Sequence, residues 1–347
     1  MTPSFSLAPG FTLILGLAGL LAFPSIGNAQ HTDPLPDPLP EAHPLYEGTY
    51  SIIARDPETG ELGMGVQSRA FAVGYRTWTA RGGLAIFAHQ AASNPYYGRV
   101  GMEMLAAGLH PQEVLDRLVR SDEESGRRQV AILDIHGRTA AFTGADTNDW
   151  KGHECGVDFC AQGNILAGPE VVDAMARTFE STAGQPLPDR LLAALDAAEA
   201  AGGDIRGMQS SAMTIVEAAA GAGGYSDVTL DLRVNDHPQP LVELRRLLTV
   251  FRSGGVIAQA NALFQEGDRE GGLAMVLDLR DQIPEKDNVW IALAGMYLEM
   301  DRRGDALEAL GQAVETNPAN RRQLPRDPRF QELHDDREFL RITGDGR

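Results

Sequence analysis

The sequence has little positive charge, few cysteines and no long apolar run. Its 48 acidic residues against 30 basic ones give a formal net charge of −18, and none of the first 29 residues is charged. Such a surface repels nucleic-acid phosphates and anionic lipid headgroups. No basic run or aromatic-interleaved basic patch offsets this charge. We therefore expect no nucleic-acid partner.

The apolar stretch over residues 11–23 is too short, and too soon interrupted by Pro24, for a membrane span. Gly27 and Ala29 supply the small residues of a cleavage site, which predicts a secretory signal peptide over 1–29. No Lys or Arg precedes the run, so an uncleaved anchor is the alternative. No cysteine lies near the cleavage site, which argues against a lipoprotein. We expect a periplasmic or secreted protein without stable membrane insertion after cleavage.

Familiar catalytic signatures are missing. The chain has no G-x-S-x-G elbow, no H-E-x-x-H zinc motif and no P-loop. Cys155 and Cys160 lie close together, and in an oxidising compartment such a pair favours a disulfide. Zinc is the alternative, with His153 and Glu154 adjacent, but a zinc site needs four convergent ligands and no second cluster is present. We expect no metal and no cofactor.

Residues 30–48 are rich in proline and lack periodic apolar positions, which is typical of an extended linker. Strand hairpins, two helices, and then more strands and a helix follow, and this order predicts an α+β domain over 49–253. The predicted strands are TYSIIARD, ELGMGVQS, GGLAIFAHQ, the two joined in RRQVAILDIHGRTAAFTG, and those near 209–217 and 227–233. The predicted helices cover 96–120, 168–183, 187–201 and 239–252.

Residues 254–347 are almost purely helical in pattern and contain a repeat. The positions that match the tetratricopeptide spacing are Trp290, Leu293, Ala294, Tyr297, Ala306, Leu310, Ala313 and Pro318. Pro284 stands 34 residues before Pro318 and ends a looser copy, in which Gly272 replaces the usual alanine. The segment DPRFQELHDDREFLRI is predicted to cap the stack. We expect a small all-α helical-repeat domain that binds a peptide or protein partner.

Thr49 begins the first core strand, directly after Gly48. If the chain were cut between them, the Thr49 hydroxyl would be a nucleophile and its own α-amine, which titrates at about pH 8, would be the base. The local sequence alone favours a simpler interpretation, because threonine is a good strand former.

Several blocks, in the same order, resemble the bacterial family called domain of unknown function 1028. They are TYSIIARDPETGELGMGVQSRAFAVG, ARGGLAIFAHQAASNPYYG, AQGNILAGPEVVDAM, GGDIRGMQSSAM and DLRVNDHPQPLVELRRLL, and they cover about 49–253. The resemblance implies an N-terminal-nucleophile hydrolase-like fold, a four-layer αββα sandwich related to proteasome β-subunits. It also gives Thr49 a catalytic meaning, because Gly-Thr is the junction at which proteasome-type precursors cleave themselves.

The same resemblance implies supporting residues. A lysine on the third strand of that class lowers the proton affinity of the nucleophile, and the comparable position here is Arg81, 32 residues after Thr49. Arginine supplies charge but stays protonated, and pairing with a surface acid such as Glu103 is the alternative. Where the class has an acidic residue near the end of the second strand, this chain has Ser68-Arg69.

Asp204 and Ser210 resemble the aspartate and serine that support the terminal amine, and Gly163 and Asn164 lie where an oxyanion donor would sit. Each has a structural alternative. Asp204 would cap a turn before a strand, and Asn164 beside a glycine would satisfy backbone groups. His89, alone on its strand, is interpreted as a core residue.

Two functions are consistent with these residues. The first is an exported amidohydrolase or peptidase-like protein that uses Thr49 as an N-terminal nucleophile on a peptide or other small amide. The second is a catalytically inactive binding or scaffold protein whose tetratricopeptide tail recruits a peptide or protein partner, and the residues at 68 and 81 favour it. The mature N-terminus separates them, because a chain beginning near Gln30 leaves the Thr49 amine acylated.

Overall fold

The computed structural model describes residues 48–148, 150–219, 221 and 226–344. The predicted signal peptide, 1–29, and residues 30–47 of the predicted linker lie outside the described residues. The described chain is a mixed α+β structure with two antiparallel sheets and a helical C-terminal region. Among the helices of these residues, none is both long and apolar enough to cross a membrane.

The strands agree closely with those expected, apart from a short third strand and a later hairpin that the pattern did not predict. In chain order they are β1 (Thr49–Arg55), β2 (Leu62–Ser68), β3 (Trp78–Arg81), β4 (Ala85–Ala91), β5 (Arg128–Asp134), β6 (Thr139–Thr143), β7 (Gly152–Gly156), β8 (Phe159–Asn164), β9 (Ser210–Val216) and β10 (Val228–Val234). The first sheet has the order β10-β9-β2-β1-β8-β7, and the second has the order β3-β4-β5-β6.

The helices also follow the expected pattern, with one exception. They are α1 (Tyr96–Ala106), α2 (Pro111–Ser121), α3 (Pro169–Ser181), α4 (Leu187–Ala200), α5 (Pro240–Gln265), α6 (Arg269–Gln282), α7 (Asp287–Glu299), α8 (Arg303–Thr316), α9 (Asn320–Gln323) and α10 (Arg337–Thr343). The helix expected to end at 252 continues to Gln265. The predicted domain boundary between residues 253 and 254, at Ser253-Gly254-Gly255, therefore lies inside a helix.

The β1–β2 hairpin illustrates how local chemistry sets the register. Asp56 Oδ1 accepts hydrogen bonds from the backbone N–H groups of Glu58 and Thr59, at 2.8 and 3.2 Å. Gly60 closes the turn at a φ of 75°, which glycine adopts at little cost. The pairing that follows places Thr49 opposite Ser68.

Apolar clusters separate the layers. Alternate residues of β1, such as Tyr50 and Ile52, pack against Leu191 and Leu195 of α4, in a cluster that also includes α3 and α5. The next residue, Ile53, points the other way and packs in a second cluster, between the two sheets. A third cluster lies between the second sheet and helices α1 and α2. The order in which these layers contact each other is helices, first sheet, second sheet, helices.

The predicted disulfide is confirmed. Cys155 and Cys160 are directly opposite each other in the β7–β8 hairpin and form a disulfide bond. Because this bond uses both sulfur atoms, neither is a thiolate ligand for zinc. The zinc alternative also named His153 and Glu154, and the Nδ1 atom of His153 lies 2.9 Å from the Thr143 hydroxyl.

The C-terminal helices pack in consecutive antiparallel pairs, α5 with α6 and α7 with α8, around one apolar cluster. Gly272 of α6 lies against α5, and a Cβ there would stand 2.5 Å from the Ala260 carbonyl oxygen and 3.1 Å from the Phe264 Cβ. A larger residue at 272 would hold the two helices apart. The close crossing of α5 and α6 therefore depends on this glycine.

Candidate active site

Four of the sequence-predicted site residues form one row across the first sheet. Asn164 of β8 is paired with Thr49 of β1, Thr49 with Ser68 of β2, and Ser68 with Ser210 of β9. Directly paired residues project from the same face of a sheet. Because the next residue, Tyr50, packs against the helices, this row faces the second sheet. All four side chains are buried.

The carbonyl oxygen of Gly48 is the meeting point of several donors. The Thr49 Oγ lies 2.6 Å from this oxygen and 3.2 Å from the Ser68 Oγ. The Ser68 hydroxyl donates to the same oxygen. Arg206 Nη2 also donates to it, at 2.9 Å. The peptide bond between Gly48 and Thr49 is therefore polarised by a guanidinium and hydroxyl groups, with the Thr49 hydroxyl beside it.

Gly48 itself has a conformation that other residues avoid. Its φ is 143°, in the region that L-residues rarely adopt. A Cβ built on Gly48 would stand 2.8 Å from Arg206 Nε and closer still to the other guanidinium atoms. Both the backbone and the neighbouring guanidinium therefore require glycine at this position.

Asp204 holds the guanidinium in place. Its carboxylate is fully buried and accepts from Arg206 Nη2 at 2.7 Å and from Arg206 Nε and backbone N at 3.0 Å each. The backbone N–H of Arg69 adds a further contact at 3.3 Å. Asp204 thus reaches the Gly48 carbonyl through Arg206. The resemblance implied that Asp204 supports the Thr49 amine. In the structure its partner is Arg206, a residue that the sequence did not single out.

Neutral amides line the other side of Thr49. Gln90 of β4 donates from Nε2 to the Thr49 carbonyl at 2.9 Å and to Gln129 Oε1 at 2.8 Å. Its own Oε1 accepts from the Ser51 hydroxyl at 2.7 Å. These contacts tie the start of β1 to the second sheet without introducing a charge.

Asn164 belongs to the same amide chain. Its Nδ2 donates to Gln129 Oε1 at 2.8 Å, and Gln129 Nε2 donates to the Gly163 carbonyl at 2.8 Å. The structure thus places both residues of the expected oxyanion site in the row or beside it. The Asn164 amide already donates one hydrogen bond to Gln129, so Asn164 has a structural contact as well as the position expected of a donor.

Arg81 lies away from this cluster. It pairs with Glu103 at 2.5 Å, and both side chains are substantially exposed. It is opposite Ala85 at one end of β4, whereas Gln90, the residue that reaches Thr49, is five positions further along. At about 3.4 Å per residue, these positions are roughly 17 Å apart. The expectation that Arg81 supplies charge to Thr49 is therefore corrected, and the surface pairing with Glu103 is what the structure contains.

Ser210 is in the row but has its own partners. Its hydroxyl donates to the Ala70 carbonyl at 2.5 Å and accepts from the Val73 N–H at 3.0 Å. It therefore fixes the segment that follows Ser68. No hydrogen bond joins Ser210 to Thr49 among the described residues.

Three other candidate bases among the described residues have surroundings of their own. Lys151 Nζ donates to the carbonyls of Ala145 and Thr147 at 2.7 and 2.5 Å, and Lys286 precedes α7 in the helical region. Burial lowers the pKa of His89 to about 4. The ring nitrogens of His89 lie 2.8 Å from the Ser93 hydroxyl and 3.1 Å from the Thr79 hydroxyl, as expected for a satisfied core residue.

Sequence reasoning missed Arg206, Gln90 and Gln129. Arg206 stands two residues after Asp204 within the block GGDIRGMQS, so the block itself carried the signal. Gln90 and Gln129 are polar residues in otherwise apolar strand patterns, in GGLAIFAHQ and RRQVAILD. A buried polar residue at a strand end facing another sheet requires partners, but the sequence does not say which.

Comparisons with known proteins agree with this architecture. A search of curated proteins gives no match. The crystal structure of protein SPO2555 from Silicibacter pomeroyi, a DUF1028 protein, has a TM-score of 0.54 and 31% sequence identity, and the match covers 59% of this chain and 87% of that one. The family model described as a family of unknown function, DUF1028, matches residues 49–244, more than half of the chain. This chain is therefore a member of the DUF1028 family.

Proposed function

We propose that this protein is an exported amide hydrolase whose nucleophile is Thr49, freed by cleavage of its own Gly48–Thr49 bond. One observation carries the proposal. The Gly48 carbonyl oxygen lies beside the Thr49 hydroxyl and accepts from Ser68 and Arg206. Donors fixed around a carbonyl stabilise the negative charge that develops on its oxygen when a nucleophile attacks.

Cleavage would proceed by an acyl shift. The Thr49 Oγ forms a bond to the Gly48 carbonyl carbon and gives its proton to the peptide nitrogen, whose bond to that carbon breaks. Gly48 is then held as an ester on Thr49, and Thr49 has a free α-amine. Water hydrolyses the ester and releases the preceding segment with a Gly48 carboxylate.

The freed residue then acts on substrates. The α-amine of Thr49, with an ordinary pKa near 8, takes the proton from its own hydroxyl. The Oγ attacks the substrate carbonyl, the proton passes to the leaving amine, and an acyl-enzyme forms. Water completes hydrolysis, with the α-amine again as the base. The expected substrates are peptides or other small amides.

Two further observations support the proposal. The order of layers, with helices outside two facing sheets, is the arrangement expected of an N-terminal-nucleophile fold. Thr49 begins β1, an inner strand of the first sheet, as is expected of such a nucleophile. The Cys155–Cys160 disulfide fits export, because disulfides persist in oxidising compartments.

The helical region fits a tetratricopeptide role in recruiting a peptide or protein partner. The pairs α5–α6 and α7–α8 follow the two copies of the sequence repeat. The Trp290 indole donates to the Pro284 carbonyl at 2.8 Å, so two repeat positions from successive copies are in contact. The side chains around Thr49 lie outside these helices, so partner binding would use different residues from catalysis.

A non-catalytic scaffold is the second candidate function. Ser68 stands where the resemblance implies an acidic residue, and the side chain that contacts the Thr49 carbonyl is the neutral Gln90. Thr49 is also only 2% exposed while Gly48 is attached. If Gly48 is never removed, the site is closed and the helical region is the functional part.

The experiment is intact-mass measurement with N-terminal sequencing of protein from the exported fraction. Wild type and Thr49→Ser should begin at residue 49, because serine retains the hydroxyl. Thr49→Ala should retain the preceding residues. If wild type and Thr49→Ala both begin near Gln30, the N-terminal-nucleophile mechanism is wrong for this protein, and the scaffold function takes its place.

A further inference from the structure

We infer that Arg206 and Ser68 form an acyl-binding site that accepts glycyl and D-aminoacyl groups and rejects L-aminoacyl groups. This inference rests on the proposed function and names the substrate class of that site. It starts from the Gly48 carbonyl, which is the one acyl group whose position beside Thr49 the structure defines.

The donors that hold this carbonyl belong to the fold and remain after Gly48 leaves. Ser68 is the last residue of β2 and is fully buried. Arg206 is bonded to the buried carboxylate of Asp204 through both Nε and Nη2. An acyl group carried on the Thr49 Oγ, with its carbonyl oxygen accepting from the same two groups, would place its α-carbon close to the position of the Gly48 α-carbon.

That position discriminates between the two faces of the α-carbon. The Cβ of an L-residue would stand within 2.8 Å of Arg206 Nε and nearer to the rest of the guanidinium. The guanidinium could move aside only by giving up its bonds to Asp204, whose side chain has no exposure to water. An L side chain at this position is therefore opposed by a fixed charged group.

The backbone φ angle of Gly48 also favours glycine and D-residues over L-residues. Gly48 has a φ of 143°, which is unfavourable for L-residues because of the clash between Cβ and the backbone. Because D-residues are mirror images of L-residues, positive φ is their ordinary range. The Cβ of a D-residue also replaces the other α-hydrogen, away from the position that the guanidinium fills. Glycine and D-residues thus share the geometry that the site provides.

The test uses protein whose N-terminus has been verified as Thr49, and three fluorogenic amides that differ at one carbon. These are the aminocoumarin amides of N-acetylglycine, N-acetyl-D-alanine and N-acetyl-L-alanine. We expect kcat/KM for the glycyl and D-alanyl amides to exceed that for the L-alanyl amide by at least about tenfold, the discrimination that a single misplaced methyl group gives.

Two variants connect the preference to the arginine. Arg206→Lys keeps the charge but leaves room beside the α-carbon, so it should reduce the preference against the L-alanyl amide. Arg81→Gln removes an arginine that pairs with Glu103 on the surface and should leave the preference unchanged. Circular dichroism and a thermal melt verify that each variant is folded.

The outcomes separate this inference from the proposed function. Equal hydrolysis of the three amides, or preference for the L-alanyl amide, overturns the inference and leaves the proposed function standing. Failure to hydrolyse any of them, by protein that begins at Thr49, also overturns the inference. Wild-type protein that begins near Gln30 overturns the proposed function, and the acyl site with it.

Discussion

Replacing Arg206 should slow the release of Thr49 far more than replacing any other arginine discussed above. Arg206 Nη2 contacts the Gly48 carbonyl oxygen at 2.9 Å and is the positively charged donor to that oxygen. Loss of one fixed donor to a developing oxyanion costs about 10²–10³ in rate, or about 2.7–4 kcal/mol. Because the guanidinium is 27% exposed and Ser68 still donates, we expect about 100-fold slower cleavage in Arg206→Gln, at the lower end of that range.

The assay follows the ratio of precursor to product by intact mass, from synthesis through incubation of the purified protein. Wild type should be isolated fully cleaved, Arg206→Gln mainly as precursor that converts slowly, and Arg206→Lys between them. Arg81→Gln should match wild type. Since Arg206→Gln leaves the Asp204 carboxylate buried without its partner, the double variant with Asp204→Asn controls for misfolding. If Arg206→Gln were cleaved as fast as wild type while Thr49→Ala stayed intact, our reasoning about Arg206 would be refuted.

Three further predictions concern stability. Burial lowers the pKa of His89 to about 4 from an unfolded value near 6.5. The free energy of unfolding should therefore be unaffected by His89 above about pH 6.5 and should fall by up to about 3 kcal/mol as the pH is lowered to about 4. Urea unfolding of His89→Gln should lack this part of the pH dependence. Gly272→Ala should destabilise the fold by about 1–3 kcal/mol, because the new methyl group crowds α5. Gly311→Ala, which has open space beside it in α8, should stabilise the fold by about 0.5–1 kcal/mol. Equal shifts of the melting temperature in the two variants would contradict this prediction. Removing the disulfide with Cys155→Ser and Cys160→Ala should cost about 2 kcal/mol in chemical unfolding, because the closed loop is short, and an unchanged midpoint would show that the bond does not constrain the unfolded chain.

Much of the fold could be predicted because its signals are local. Alternating apolar residues around the PETG turn identify β1 and β2, and glycine and aspartate mark the turn between β5 and β6. The strand β3, Trp78–Arg81, was missed because four half-buried residues at a sheet edge give no clear alternation. Helix α5 was ended too early because Gly254 and Gly255 resemble a stop signal. The apolar contacts of Ala260 and Phe264 beyond them favour continued helix instead.

The candidate site could be predicted only in part. Thr49, Ser68, Asn164 and Ser210 were found from the order of sequence blocks, and strand pairing puts them in one row. Arg81 was placed wrongly because counting 32 residues from Thr49 ignores the lengths of the intervening turns.

The amide chain of Gln90 and Gln129 could not be inferred at all. Gln90 and Gln129 are paired in the second sheet, and their contacts to Thr49 and Gly163 of the first sheet join residues far apart in sequence. Arg206 was missed for a different reason. Arg206 contacts the backbone carbonyl of Gly48, 158 positions earlier in the chain, and a pattern of side chains in the sequence cannot predict a contact with a backbone group.

Helix α5 has a mechanical consequence. Its 26 residues extend about 39 Å as one rod. Leu244 near its start is anchored in the core of the first sheet, next to the strand that begins with Ser210, and Phe264 near its end is anchored among the C-terminal helices. A partner bound to the C-terminal helices would therefore be connected, through this helix, to β9 and β10 on the face of the first sheet opposite Thr49. Force applied to the C-terminal helices would be transmitted along α5 to that face of the sheet.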